Sequence, residues 1–147
     1  MVALLLSSGA IAASNATSDY EKALSKAIAP CQVMTFQANL DQQNARLSAQ
    51  MNGTMSEYID KLSNSKPDPA LIACYRNARV NGAEAYKTFV ATTKSEAVKK
   101  SAKNVLSAWL AYVDVTTDGT SDSDQNSPEA VALRKAESDL EVEVMTE

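Results

Sequence analysis

Cys31 and Cys74 are the two residues of this 147-residue chain with the most reactive side chains. They lie 43 positions apart. No CxxC pattern surrounds either one, and only Arg76 and Arg79 stand close enough in sequence to favour a thiolate, so a structural disulfide is expected rather than a redox centre. Histidine is absent, which removes the commonest general base and the commonest metal ligand. Asp122-Ser-Asp124-Gln-Asn126 sets oxygen ligands at alternate positions, as a calcium loop begins. Its sixth and twelfth places hold Ser127 and Leu133 instead of glycine and glutamate. Asp122, Asp124 and Asn126 are therefore a weak calcium candidate, and no metal or cofactor is expected.

The motifs of common enzymes are missing: GxSxG, a Walker loop, HExxH and GxGxxG. Acidic residues gather at the C-terminal end rather than in a patterned pocket, so the chain reads as non-enzymatic. A carboxylate-based hydrolase stays as a remote alternative. It would need two acids converging in a cleft, at least one with a raised pKa.

The net charge of −4 is unevenly spread. Residues 19–113 carry 12 Lys/Arg against 8 Asp/Glu, and residues 114–147 carry 2 against 10. Lys94, Lys99, Lys100 and Lys103 make a basic turn and a half. With Asp118, Asp122 and Asp124 of the acidic segment, they are the candidate partner-binding residues. No aromatics alternate with these lysines and the pI is about 4.9, so nucleic acid is not the expected partner.

Few glycines and prolines and an excess of good helix formers predict an all-α fold, a four- to five-helix, mostly antiparallel bundle. Ser18 and Glu21 form a capping box for a first helix, which Pro30 should end or kink. A second stripe follows, through Val33, Phe36, Leu40, Leu47, Met51, Met55, Tyr58, Ile59 and Leu62, with a polar opposite face. Asn52-Gly53-Thr54 interrupts it. A third helix should start after Asp68 and carry Leu71, Cys74, Tyr75, Ala78, Gly82, Tyr86 and Phe89 on one face. A turn with Thr93 or Ser95 as cap leads to a fourth, with Val98, Val105, Trp109 and Tyr112. Residues 114–127 read as an acidic loop, and Pro128 opens a C-terminal helix over 128–145. That helix either docks or stays mobile. The aromatic stripes are expected in the core, or else lining an apolar cavity.

The cysteines act as a ruler on this arrangement. One straight helix over residues 31–63 would be about 50 Å long and would hold Cys74 far from Cys31. A disulfide needs Cα atoms within about 7 Å. A break at Gly53 folds the chain back and brings the third helix to Cys31. The bent helix with an intramolecular disulfide is the expected alternative. The other is a straight helix with unpaired or intermolecular cysteines.

Residues 1–13, "MVALLLSSGAIAA", resemble the end of a signal peptide, with a short apolar run and Ala10-Ile11-Ala12 as a cleavage site. No later stretch reaches the ~18–20 apolar residues of a membrane span. Residues 14–147 then form one helical domain, secreted or periplasmic. The expected role is binding to another protein as an inhibitor, immunity, adaptor or accessory protein. The alternative is a small-molecule or lipid carrier.

Overall fold

Residues rich in alanine, serine and glutamine run as one unbroken helix, α1, from Ser8 to Asn52 in the computed structural model, which describes residues 8–117 and 126–146. This corrects two expectations. Ser18 and Glu21 lie inside the helix rather than at its start, and Pro30 does not end it. Proline costs a helix interior ~3 kcal/mol by removing a donor and crowding the previous turn. Here Pro30 lies on the solvent side, while Ile28 and Cys31 on either side of it are locked into the core. Tertiary packing of those neighbours carries the helix past the proline.

Gly53 ends α1. Its φ of 72° is the left-handed conformation that glycine adopts without a Cβ penalty. Thr54 N–H then donates to Ala49 C=O at 3.0 Å, the backbone bond of a Schellman stop. The chain turns back into α2 (Met55–Ser63), then crosses a short loop to α3 (Pro69–Val90). Asp68 caps α3 by accepting from Ala70 N at 2.8 Å, with Pro69 in the first turn. Thr93 accepts from Ser95 N, and Ser95 accepts from Val98 N to open α4 (Glu96–Thr117). Ser127 accepts from Ala130 N to open α5 (Pro128–Met145), with Pro128 at its start.

The expected acidic loop therefore begins later than residue 114. Residues 114–117 belong to α4, because Thr116 is buried and its hydroxyl donates to Tyr112 C=O one turn back. Asp114 pairs with Arg79 of α3.

Four of the helices make an up-down-up-down bundle. Tyr20 stacks on Phe89 while Cys31 meets Cys74, so α1 and α3 are antiparallel. Tyr20 donates to Ala102 C=O and Gln32 to the Tyr112 hydroxyl, so α1 and α4 run parallel. They pack less closely than the neighbouring pairs, as diagonal partners do. α5 docks between α4 and α1 through Ala130, Leu140 and Val144, all buried. The shared core holds Leu24, Ile28, Tyr75, Val105, Trp109 and Val113. Gly82 lets Trp109 lie against α3. A Cβ at that glycine would fall 2.4 Å from the indole ring.

Candidate functional site

The bridge between Cys31 and Cys74 has a Cα–Cα distance of 5.6 Å, so the folded-back arrangement holds. It marks the level at which α1 leaves the bundle. Above it, Thr35 and Tyr75 exchange a hydroxyl–hydroxyl hydrogen bond of 2.9 Å. α3 begins at Pro69, about one and a half turns before Cys74. At 1.5 Å per residue α1 is about 67 Å long and α3 only about 33 Å. The far part of α1 thus has no body to pack on. Among the described residues its only cover is α2, which contacts no other helix. Residues 36–63 form a projecting helical arm.

This arm is apolar where it meets water. Val33 is 68% exposed, Phe36 64%, Leu47 57% and Met51 85%, with Leu40, Ile59 and Leu62 also exposed. The stripe read in the sequence is a true helical face, but it is turned outward. α2 lies against the flank of α1 instead, where Ala49 is buried and Tyr58 donates to Gln42 C=O at 3.4 Å. Between the two helices runs a cleft of about 470 Å³. Met55, Tyr58, Ile59 and Leu62 of α2 face Asn39, Gln42, Gln43 and Arg46 of α1 across it. An apolar wall opposite an amide-rich wall suits a peptide or protein surface with both kinds of group. Isolated exposed leucines are ordinary; this many along one helix exceed the scattered apolar exposure of a typical small monomer.

The residues singled out in the sequence fall elsewhere. Lys94 lies in the loop before α4, and Lys99 pairs with Glu96 at 2.8 Å on its own helix. Lys100 and Lys103 are exposed. α4 runs parallel to α1, so these lysines sit at the end of the bundle away from the arm. Among the described residues no ion pair joins them to α5, which docks through apolar side chains. Asp118, Asp122 and Asp124 lie outside the described residues, and Asn126 forms the turn before α5. Tyr75, Phe89 and Trp109 are buried, while Tyr86 and Tyr112 pack against the same core. Among the described residues no helix is long and apolar enough to cross a membrane, and no group of acids and cysteines is arranged to hold a metal ion.

One cluster was not legible in the sequence. Glu21 of α1 meets Glu137 and Glu141 of α5. Burial, and then repulsion from those two carboxylates, push the Glu21 pKa up to about 7. Burial and Glu141 also raise Glu137, against the pull of Arg134. One Glu21 oxygen is buried with no hydrogen-bond partner among the described residues. Glu137 also borders a cleft of about 380 Å³ with Gln32, Trp109 and Tyr112. The only sequence signal was the spacing of Glu137 and Glu141 on the flank of the Leu133/Leu140 stripe. Nothing local placed Glu21 opposite them.

Compared with known protein families, with curated proteins and with solved structures, the chain matches none.

Proposed function

We propose that this protein is a non-enzymatic, exported binding module that engages another protein through the arm of α1 and α2. The observation that carries this reading is the exposed stripe from Val33 to Met51, set on a helix that outruns the body built to bury it. Tyr20, Tyr75, Phe89 and Trp109 are buried in the core, which favours surface recognition; a carrier of small molecules would instead use the mostly apolar cleft of about 290 Å³ beside Tyr20 and Phe89. The disulfide fits an oxidising compartment outside the cytosol. The lysine turn, remote from the arm, would act on encounter rather than on the bound contact.

Affinity capture from the source organism with mass spectrometry, at low and moderate salt, tests the proposal. Intact protein should retain a partner that Met51→Glu loses. A partner held equally by both would place recognition elsewhere. Salt should change how fast the partner is captured more than how firmly the arm holds it.

The carboxylates between α1 and α5 favour a second reading, a hydrolase with Glu137 facing its cleft and Glu21 as the protonated neighbour. Hydrolysis of a glycoside panel, lost in Glu137→Gln with the fold intact, would support it. No turnover by the intact protein would end it.

A further inference from the structure

The exposed stripe of α1 has a symmetry that singles out one occupant. At 100° per residue, Val33, Phe36, Leu40, Leu47 and Met51 fall within about 60° of one another. Read in reverse about the bond between Gln43 and Asn44, the stripe from Phe36 to Met51 reproduces itself, with Val33 outside the repeat. Phe36 exchanges with Met51, and Leu40 with Leu47. The midpoint between residues 43 and 44 also lies at the angular centre of the stripe. A two-fold axis at that midpoint, perpendicular to the helix, would set a second α1 antiparallel to the first. Every large side chain from Phe36 to Met51 would then meet one of matching character at the same height. Isologous pairing demands this: the same patch on both partners, with residue i on j and j on i.

We infer that the stripe is the homodimer interface of this protein, an antiparallel pairing of two α1 arms. The inference rests on the arm being a binding surface and names its partner as a second copy of the chain. Four apolar layers form, Phe36 on Met51 and Leu40 on Leu47, each twice. At the centre, Gln43 lies beside its own copy, and Asn44 beside its own. A polar pair inside an apolar seam fixes register, because any slip leaves amides against leucine.

Charge and space permit the pairing. Between residues 27 and 54 the only charged side chains are Asp41 and Arg46, which cancel and flank the stripe on opposite sides. The body packs on the face of α1 bearing Leu24, Ile28 and Cys31, about 150° around the helix from the stripe. α2 faces the flank at Asn39, Gln42, Gln43 and Arg46, centred about 100° around, with Gln43 at the border between that flank and the stripe. The stripe therefore stays open along its length. Side chains of this size, at exposures of 57% to 85% for Phe36, Leu47 and Met51, each leave on the order of 100 Å² in water. Two copies meeting over the stripe and its amide flanks would remove roughly 1,000–1,500 Å², the lower end of specific interfaces and suited to a dimer that dissociates on dilution.

Sedimentation equilibrium of the full chain from micromolar to several hundred micromolar tests the pairing. The intact 15.7 kDa chain should show twice its own mass. Leu40→Glu and Leu47→Lys, each alone, should weaken association about 100-fold or more, since each sets a charge against leucine with no partner. Both sites are exposed, and circular dichroism melts should show both variants folded. Mixed one to one, the two variants should re-associate, because antiparallel register brings Glu at 40 onto Lys at 47 of the other chain. Re-association of the mixture supports the register, and a mixture that stays monomeric overturns it. A single-chain mass for the intact protein at every concentration overturns the inference. If that monomer still captures a different protein through Met51, the arm remains a binding surface with another partner. If it binds anionic vesicles instead, the surface faces lipid.

Discussion

Two glycines do opposite things in this chain, and the contrast can be measured. Gly82 is a matter of space: Trp109 occupies the place a side chain would take, its ring 2.4 Å from where a Cβ would stand. Gly82→Ala should force α3 and α4 apart or swing the indole, lowering stability by roughly 2 kcal/mol or more. Gly53 is a matter of backbone. Nothing lies within 4 Å of a Cβ there, but φ is 72°. Gly53→Ala should cost only about 1 kcal/mol, the penalty for an L-residue in that conformation. Urea denaturation of both variants separates the cases, and equal losses would contradict the packing at Gly82. The sequence showed Gly53 as an interruption because it broke a strong pattern. It showed Gly82 merely as one more small residue on a stripe, since the tryptophan opposite is a matter of three-dimensional register.

Between elements, the seam that should respond to pH is α1 against α5, where Glu21, Glu137 and Glu141 meet with Arg134 as the nearby cation. Glu21 is held near 7, above its ordinary 4.5, so folding favours the protonated acid. Its share of stability is complete below about 4.5 and is lost as pH rises through about 7. Thermal melts from pH 5 to 8 should show the melting temperature falling. Glu21→Gln should flatten that fall and melt several degrees higher at pH 8. A variant that follows the intact protein across the range would show that Glu21 is not the cause. The helix starts after Asp68, at the Thr93–Ser95 turn and at Pro128 were legible because each is a local pattern of a few residues. Pro30 was misleading because local propensity there is outweighed by Ile28 and Cys31, which are anchored on helices distant in sequence.

At the scale of the whole molecule, a bundle and an arm differ in how firmly they are held. α2 has no buried residue and touches only α1, while α3 and α4 share the core. Among the described residues, amide hydrogen exchange should therefore run fastest in residues 53–68 and slowest around Tyr75, Val105 and Trp109. Uniform protection would mean the arm is buried by something. The sequence revealed the class of fold, and the spacing of its cysteines revealed the fold-back. It did not reveal that the stripe from Val33 to Met51 faces outward, because periodicity marks an apolar face without saying whether anything covers it. One consequence follows from where the sulfur bridge sits. Cys31 and Cys74 flank the entire projection, so residues 31–74 form a covalent ring closed by sulfur. A protease that nicks the tip would open the ring without releasing either piece. On a gel the cut chain should migrate as one band until a thiol is added, then fall into two, and the bundle should outlast the damage.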